Sequence, residues 1–552
     1  MGSPGHQSSG CSDTPINQHS NETPATPAAE HAIEKQQQHA IALVNQGKLQ
    51  EAETIYRKLI SAGIKNHVVY GNLAAILGMQ GRLDDRIKLL TKALQLKPNY
   101  VKAHTNLGNA FQEKGDLNAA IASYKTSLEL KPNDTVTHYN LGLAFQKQGN
   151  LSAAINSYKA AIQIQPNYPI AYYNLGLTFQ ELGNITAAIN AYDITVRLKP
   201  DYAVAHNNLG NCLKAQGDLT KAAKSYKTAI QLKPDYLEAH QNLSLCLLLA
   251  QDYNSGWEEH EWRHQNKGQL LHANPNCIKW NGEPLLPNST LLLVSEQGLG
   301  DTLQFMRYAL VLKNKGISVS LCAQSKLHSL IQASGIDSSP LTPEQANQVQ
   351  GGQWIPLLSI PKLLKVSPNN PIITSPYIKT TNQLQDKWKH ILSNEQKPII
   401  GVNWQGNPNT EKTWLLGRSL ALETFAPLAK NNHISLLSLQ KGYGSEQLQT
   451  CSFKENFVNC QNQIDETWDF LETAAIIANC DLIITCDTSV AHLAGGMGKA
   501  TWLLLQKVPE WRWGLEGETT FWYPSIRLFR QTERGNWDKV IEQISEALQE
   551  KF

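Results

Sequence analysis

Two short stretches of this chain place unlike chemical groups where a substrate could meet them. The first is SEQGLGDTLQF, Ser295 to Phe305, entered from the apolar run Leu291 to Val294. Gly298 and Gly300 stand one residue apart and an acid, Asp301, follows. Glycines at a strand end let a substrate approach the backbone, and an aspartate facing it can handle a proton. The same residues also make an ordinary turn, with Asp301 as helix N-cap and Gln304 completing a capping box. The stretch is not a Walker A loop, since no Gly-Lys-Ser/Thr follows, nor a full G-x-G-x-x-G, since Leu303 stands where the third glycine would be. The second stretch is CDTSVAHLAGGMG, Cys486 to Gly498. Thr488 and Ser489 fall at a predicted helix N-terminus, where free N–H groups and the helix dipole favour an anion. His492 lies four residues after Thr488, on the same helix face.

Both stretches must be carried by something rigid, and the surrounding pattern supplies it. LLLVSE (291–296) and ISVSLCA (317–323) read as strands, with TLQFMRYALVLKNKG (302–316) and QSKLHSLIQAS (324–334) as helices. Residues 335–396 are interrupted by prolines and read as short strands and long loops. A second series follows. KPIIGVNWQ (397–405), HISLLSLQ (433–440), DLIITCD (481–487), KATWLLLQ (499–506) and SIRLFRQ (525–531) are its strands. LALETFAPLAKN (420–431), ETWDFLETAAIIANC (466–480), TSVAHLAGGMG (488–498) and WDKVIEQISEAL (537–548) are its helices. Alternating strands and helices imply parallel sheets, here two Rossmann-like domains facing one cleft, with ligands at the carboxyl ends of the strands.

The first half of the chain is periodic instead. Asn recurs at 72, 106, 140, 174, 208 and 242, always 34 residues apart. Gly recurs at 81, 115, 149, 183 and 217, Tyr at 124, 158, 192 and 226, and Pro at 98, 132, 166, 200 and 234. The period and pattern resemble the tetratricopeptide repeat (TPR). Within one unit, Leu107, Ala110 and Phe111 share a face of a first helix, Gly115-Asp116 breaks it, and Ala119, Ala120, Tyr124 and Leu128 face a second helix that Lys131-Pro132 stops. Gly108 and Ala120 allow close packing between them. Six regular units span about 33–236, and a seventh, 237–265, is degenerate, with Ser244 and Gln251 replacing glycines. One hairpin cannot cover its own apolar face, so the units stack into a solenoid. The six asparagines can form a ladder along the concave surface that binds an extended peptide backbone. Equally, asparagine can be frequent at this position for reasons of packing alone.

The chain's 552 residues exceed one domain, and 41% hydrophobic content supports buried cores. A net charge of +2, from 49 basic and 47 acidic residues, argues against nucleic acid as the main partner. Nine scattered cysteines without a C-x-x-C pair indicate neither a zinc site nor a disulfide framework, which fits a reducing, cytoplasmic setting. No apolar run approaches a membrane span; SLCLLLA (244–250) is far too short. Residues 1–30 are polar and read as a disordered tail. The resulting division is a tail (1–30), a TPR solenoid (31–270) and two Rossmann-like domains (271–396 and 397–552).

GLGDTLQF in one half and CDTSVAHLAGGMGKATWLLL in the other resemble the lipopolysaccharide heptosyltransferase family of GT-B glycosyltransferases, over roughly residues 290–550. TPRs fused ahead of a GT-B region also resemble the O-linked N-acetylglucosamine transferases that modify proteins. The fold expected is therefore an all-α TPR solenoid followed by an α/β GT-B fold. The resemblance implies inverting, metal-independent sugar transfer from a nucleotide sugar to a hydroxyl, with no cofactor, and the chain has no Asp-x-Asp metal motif. It makes Asp301 the catalytic base, puts Asp487 in the donor loop and turns His492 toward the donor. The leaving diphosphate would be neutralised by the helix N-terminus at Thr488-Ser489, by Arg418 in LLGRSL and by Lys441 in SLQKG. The family's basic residue near Arg418 is usually lysine. Glu446 is the candidate for the donor-ribose acid. PEWRWG (509–514) could line a pocket with its indoles and arginine, though such tryptophans more often pack a loop. WNGEPL (280–285) and GWEEHEWRH (256–264) are placed at the junction of the two halves. The acceptor is a protein or peptide recruited by the solenoid. The alternatives are a glycolipid or polysaccharide acceptor with the repeats docking a partner, and an interaction scaffold whose transferase fold is inactive.

Overall fold

The computed structural model describes residues 27–265, 271–285, 289–372, 376–411, 417–430 and 433–552. The expected tail of residues 1–30 falls almost wholly outside them. The chain divides into two compact units, Met1–Cys212 and Leu213–Phe552.

Seven helical hairpins occupy residues 27–260. They are α1 (Pro27–Asn45) with α2 (Leu49–Ser61), α3 (His67–Met79) with α4 (Leu83–Leu96), α5 (Val101–Lys114) with α6 (Leu117–Leu130), and α7 (Thr135–Lys147) with α8 (Leu151–Ile164). The series continues with α9 (Pro169–Glu181) and α10 (Ile185–Leu198), α11 (Ala203–Gln216) and α12 (Leu219–Leu232), and α13 (Leu237–Leu249) and α14 (Tyr253–His260). The periodic residues each have a mechanical task. Gly115 ends α5 in the left-handed region at φ 87°, and Asp116 then caps α6 by accepting the Ala119 N–H at 3.0 Å. A Cβ at Gly108, Gly142 or Gly176 would lie 2.5–2.7 Å from the ring of Tyr124, Tyr158 or Tyr192, so only glycine admits the tyrosine of the second helix. His104, His138, His206 and His240 each donate from Nε2 to the carbonyl of the proline six residues earlier, at 2.8–3.0 Å, pinning each new repeat to the end of the last.

The asparagine ladder also has its answer here. Asn72, Asn140, Asn174 and Asn242 are 1–9% exposed. Asn174 donates to the Tyr139 hydroxyl at 2.9 Å and Asn208 to the Tyr173 hydroxyl at 3.2 Å, while Asn72 reaches Tyr56 at 3.1 Å and Asn140 reaches Asn109 at 3.0 Å. Asn106 is half-buried, and its carbonyl accepts from Arg86. Asn72, Asn140, Asn174 and Asn208 thus each make an amide hydrogen bond to the preceding repeat.

In the second unit two parallel sheets follow the last hairpins. The first has four strands, β1 (Asn276–Lys279), β2 (Thr290–Val294), β3 (Ser318–Cys322) and β4 (Gln350–Pro356), in the order β1-β4-β2-β3. The second has five, β5 (Ile399–Asn403), β6 (Ser435–Ser438), β7 (Leu482–Cys486), β8 (Thr501–Leu505) and β9 (Ile526–Arg530), in the order β6-β5-β7-β8-β9. This is doubly wound topology, so the chain reverses direction across each sheet: between β2 and β4 in the first, and between β5 and β7 in the second. One apolar core runs from Leu291 and Leu303 of the first half to Ile483 and Leu493 of the second, and it includes Leu248, Tyr253 and Trp257 of the seventh hairpin.

Three expected helices differ from the structure for local reasons. The segment 302–316 is two helices, α15 (Leu299–Phe305) and α16 (Arg307–Asn314), parted at Met306. Of the expected helix 420–431, the described residues 420–430 form the 3-10 turns Leu422–Phe425 and Leu428–Lys430, with Pro427 between them lacking the N–H a continuous helix needs. The helix expected from 466 starts at Phe470, where Asp469 caps it.

Candidate active site

The two stretches singled out by residue type lie at the reversal points of their sheets. β2 runs into Ser295 and Glu296, which are buried, and then Gln297 at φ 62° turns the chain into α15. Gly298, not Asp301, is the N-cap of α15. Asp301 sits at its third residue, and its Oδ2 accepts the Gly298 N–H at 2.9 Å, so it supplies the far half of the box rather than the cap. Gly300 faces the second stretch. A Cβ there would come 2.9 Å from His492 Cδ2 and 3.7 Å from Ser489 Cα. The glycine therefore lets α15 lie directly against the helix Ser489–Gly496, and the expected cleft is closed at this contact.

The other side is built from the carboxyl ends of β5, β6 and β7. Asn403, the last residue of β5, accepts from the Thr485 hydroxyl at 3.1 Å and from the Thr488 hydroxyl at 2.8 Å, and donates to Gln440 at 2.8 Å. Gln440, two residues past β6, also accepts the Trp404 and Gln405 N–H groups and donates to the Gln405 and Tyr443 carbonyls. Thr488 caps the helix Ser489–Gly496 by accepting the Val490 N–H. Arg418 donates to the Asp487 carbonyl at 3.0 Å and to Glu411 at 3.1 Å. Burial pushes the Asp487 carboxyl up, against the opposing pull of Arg418.

His492 is 6% exposed, bonded through Nδ1 to the Tyr523 hydroxyl at 2.9 Å and stacked on Trp513 at 5.6 Å. Burial, then Arg512 and Arg307, hold its pKa well below the ordinary histidine value, so it is a neutral imidazole. The two stretches are joined by Arg512. It donates to Asp301 and Gln304 on α15 and to Glu510 on its own loop, the last at 2.7 Å, and it lies over the Trp511 ring at 4.4 Å.

The structure thus gathers Gly298, Gly300, Asp301, Arg418, Asp487, Thr488, Ser489 and His492 around adjoining strand ends. Lys441 is directed elsewhere: it donates to the Ile464 carbonyl, with Asp465 and Glu472 as its acidic neighbours, and burial lowers its pKa. Glu446 is exposed on the turn Ser445–Gln449. Both tryptophans of PEWRWG are buried in packing, while the arginine between them reaches Asp301. Glu510, Asn403, Gln440 and Tyr523 are members of the cluster that sequence reasoning missed. Asn403 and Gln440 had a usable signal, since each stands at or just beyond a strand end beside the reversal point. Tyr523 had none, because its partner His492 lies far away in the chain, and Glu510, though beside Arg512, gained its place only through the distant residue Asp301 that Arg512 also holds.

Family models described as TPR repeat match residues 76–115, 108–149 and 147–183, and one described as tetratricopeptide repeat matches 173–236. These residues are tetratricopeptide repeats, the motif of protein–protein contacts. Among solved structures, MamA is 30% identical over 29% of this chain and 95% of its own, with a TM-score of 0.29. YrrB, described as a TPR protein with an unusual peptide-binding site, is 22% identical over 33% of this chain and 95% of its own, TM-score 0.31. The C-terminal part of a TPR protein from Cytophaga hutchinsonii is 18% identical over 42% of this chain and 96% of its own, TM-score 0.38. No curated protein matches the chain. Among the described residues, no helix is long and apolar enough to cross a membrane.

Proposed function

We propose that the second unit is an inverting glycosyltransferase of GT-B type, moving a sugar from a nucleotide sugar to a hydroxyl of a protein or peptide that the repeats recruit. The observation that carries this reading is the meeting of two strand-end loops, each at the reversal point of its own parallel sheet, where α/β folds hold their ligands. The N-terminus of the helix Ser489–Gly496 with Arg418 suits a diphosphate, and Asp301 on the facing loop suits the acceptor hydroxyl. In this reading Asp301 takes the hydroxyl proton as the oxygen attacks the anomeric carbon, and the nucleoside diphosphate leaves with the bonding electrons. His492, being neutral, orients groups through hydrogen bonds and does not carry charge to the leaving group. The recruiting surface is the repeat array, with the half-buried Asn106 and Asn208 and the exposed side chains around them available for acceptor contacts.

The test is calorimetric binding of UDP-, GDP- and ADP-sugars with EDTA present, followed by turnover of any that bind. Asp301→Asn is expected to keep donor affinity and to lose about 10²–10⁴-fold in turnover. Binding of no nucleotide sugar leaves the repeats as the working part of the protein, and unchanged turnover in the variant reduces Asp301 to a capping residue.

A further inference from the structure

Arg512 is shared. Its Nη2 donates to Asp301, its Nη1 to Glu510 at 2.7 Å and its Nε to Gln304. The guanidinium is 8% exposed and the two carboxylates 17% and 18%, so water screens little of this trio. Gln304 is fully buried and gives its amide oxygen to Arg512, which leaves its own amide nitrogen without a partner. An unpaired buried donor costs stability, so the arrangement favours the placement of the guanidinium over the satisfaction of the amide. Trp511 and Phe305 sandwich the cation further, and Trp511 is itself packed edge-on against Trp257 at 5.4 Å.

We infer that Arg512 is a positioning residue for Asp301, and that Glu510 competes with Asp301 for its guanidinium. The inference rests on the reading of Asp301 as the base. The reasoning is electrostatic. With Glu510 protonated, the single positive charge serves Asp301 alone. With Glu510 ionised, the charge is divided and the trio carries one net negative charge. The groups facing Glu510 are compatible with such a role: Arg512 on its own loop, Lys214 on α11, Tyr253 on α14 and Asp487 beyond β7, while Asp301 on α15 faces it across Arg512. Burial pushes the Glu510 carboxyl up to about 7, against the pull of Arg512.

The experiment is carboxyl carbon NMR of the full chain labelled with [4-13C]aspartate, the Asp301 resonance being assigned by its loss in D301N. In the wild type this resonance is expected to show an inflection near pH 7 as Glu510 ionises, and E510Q is expected to abolish it. An Asp301 resonance that moves identically in wild type and E510Q overturns the inference. R512K, which keeps the charge but not the fork, is expected to retain the inflection, whereas R512M is expected to remove the competition. Should R512M fail to fold, the isosteric E510Q still decides. Turnover of a bound UDP-, GDP- or ADP-sugar, measured on the same variants, gives the separate test of the transferase reading. Its complete absence in the wild type rejects that reading while the NMR result stands by itself. Its presence, with a rise through neutral pH that E510Q flattens, completes the case.

Discussion

At the residue scale, the site concentrates ionisable groups that burial has moved away from their ordinary ranges, in opposite senses. His260 and His492 are held well below the ordinary histidine value, by burial first and by neighbouring arginines second. Each therefore binds fewer protons folded than unfolded, and the stability this implies is present above about pH 6.5 and is lost on acidification. Glu510 is the reverse case: raised to about 7 from near 4.5, it binds more protons folded than unfolded between those values. Its contribution is present at low pH and disappears as the pH rises through 7. Urea unfolding at pH 5 and pH 8 is expected to show E510Q gaining on the wild type at the higher pH, by at most about 3 kcal/mol. Parallel behaviour at the two pH values would mean that Glu510 keeps an ordinary pKa in the folded protein.

At the element scale, the deciding feature is the approach of α15 to the helix Ser489–Gly496. Gly300→Ala places a methyl 2.9 Å from the His492 ring, in a region with no room to yield, and is expected to cost about 1–3 kcal/mol in urea unfolding. Gly298→Ala meets only the end of the Asp301 side chain at 3.2 Å, from an extended backbone at φ −88°, and is expected to cost much less. Equal costs would remove the packing explanation of the glycine pair. Much of this level could be read directly from residue order. The glycine–tyrosine pairs, the Gly-Asp breaks and the proline stops follow the 34-residue period, and the strands at 291–296, 397–405 and 481–487 follow from their apolar runs. What could not be read is which polar groups would spend themselves internally. Asn174 looks available in one dimension and meets Tyr139 only when successive repeats stack. Asp301 and Arg512 are separated by most of the α/β region, and only the parallel winding of both sheets brings them together.

At the scale of the whole molecule, the seventh hairpin belongs to the second unit and packs into its core. Trp257 donates from its indole to the Val366 carbonyl at 2.9 Å, and Ser244 bonds the Gly256 carbonyl at 3.2 Å. Arg263 grips Glu296 through two hydrogen bonds of 2.9 and 3.0 Å, both side chains being buried. GWEEHEWRH is thus held against the α/β part of the second unit by Trp257 and Arg263, while Ser244 bonds within the hairpin. A chain beginning at Leu213 is expected to unfold cooperatively in urea. A chain beginning at Leu271 is expected to lack a cooperative transition, because it has lost Leu248, Tyr253 and Trp257 from the core and left Glu296 buried without its arginine. Cooperative folding of the shorter chain would make the hairpin an accessory.

That arrangement has an evolutionary corollary. Met1–Cys212 is its own compact unit, and several of its hairpins share the same glycine–tyrosine packing and the same histidine bond to a proline carbonyl at fixed intervals. Duplication or loss of one 34-residue segment there lengthens or shortens the array without requiring a compensating change near Asp301. The length of the array and the residues at the strand ends can therefore drift independently, one by copy number and the other by point substitution.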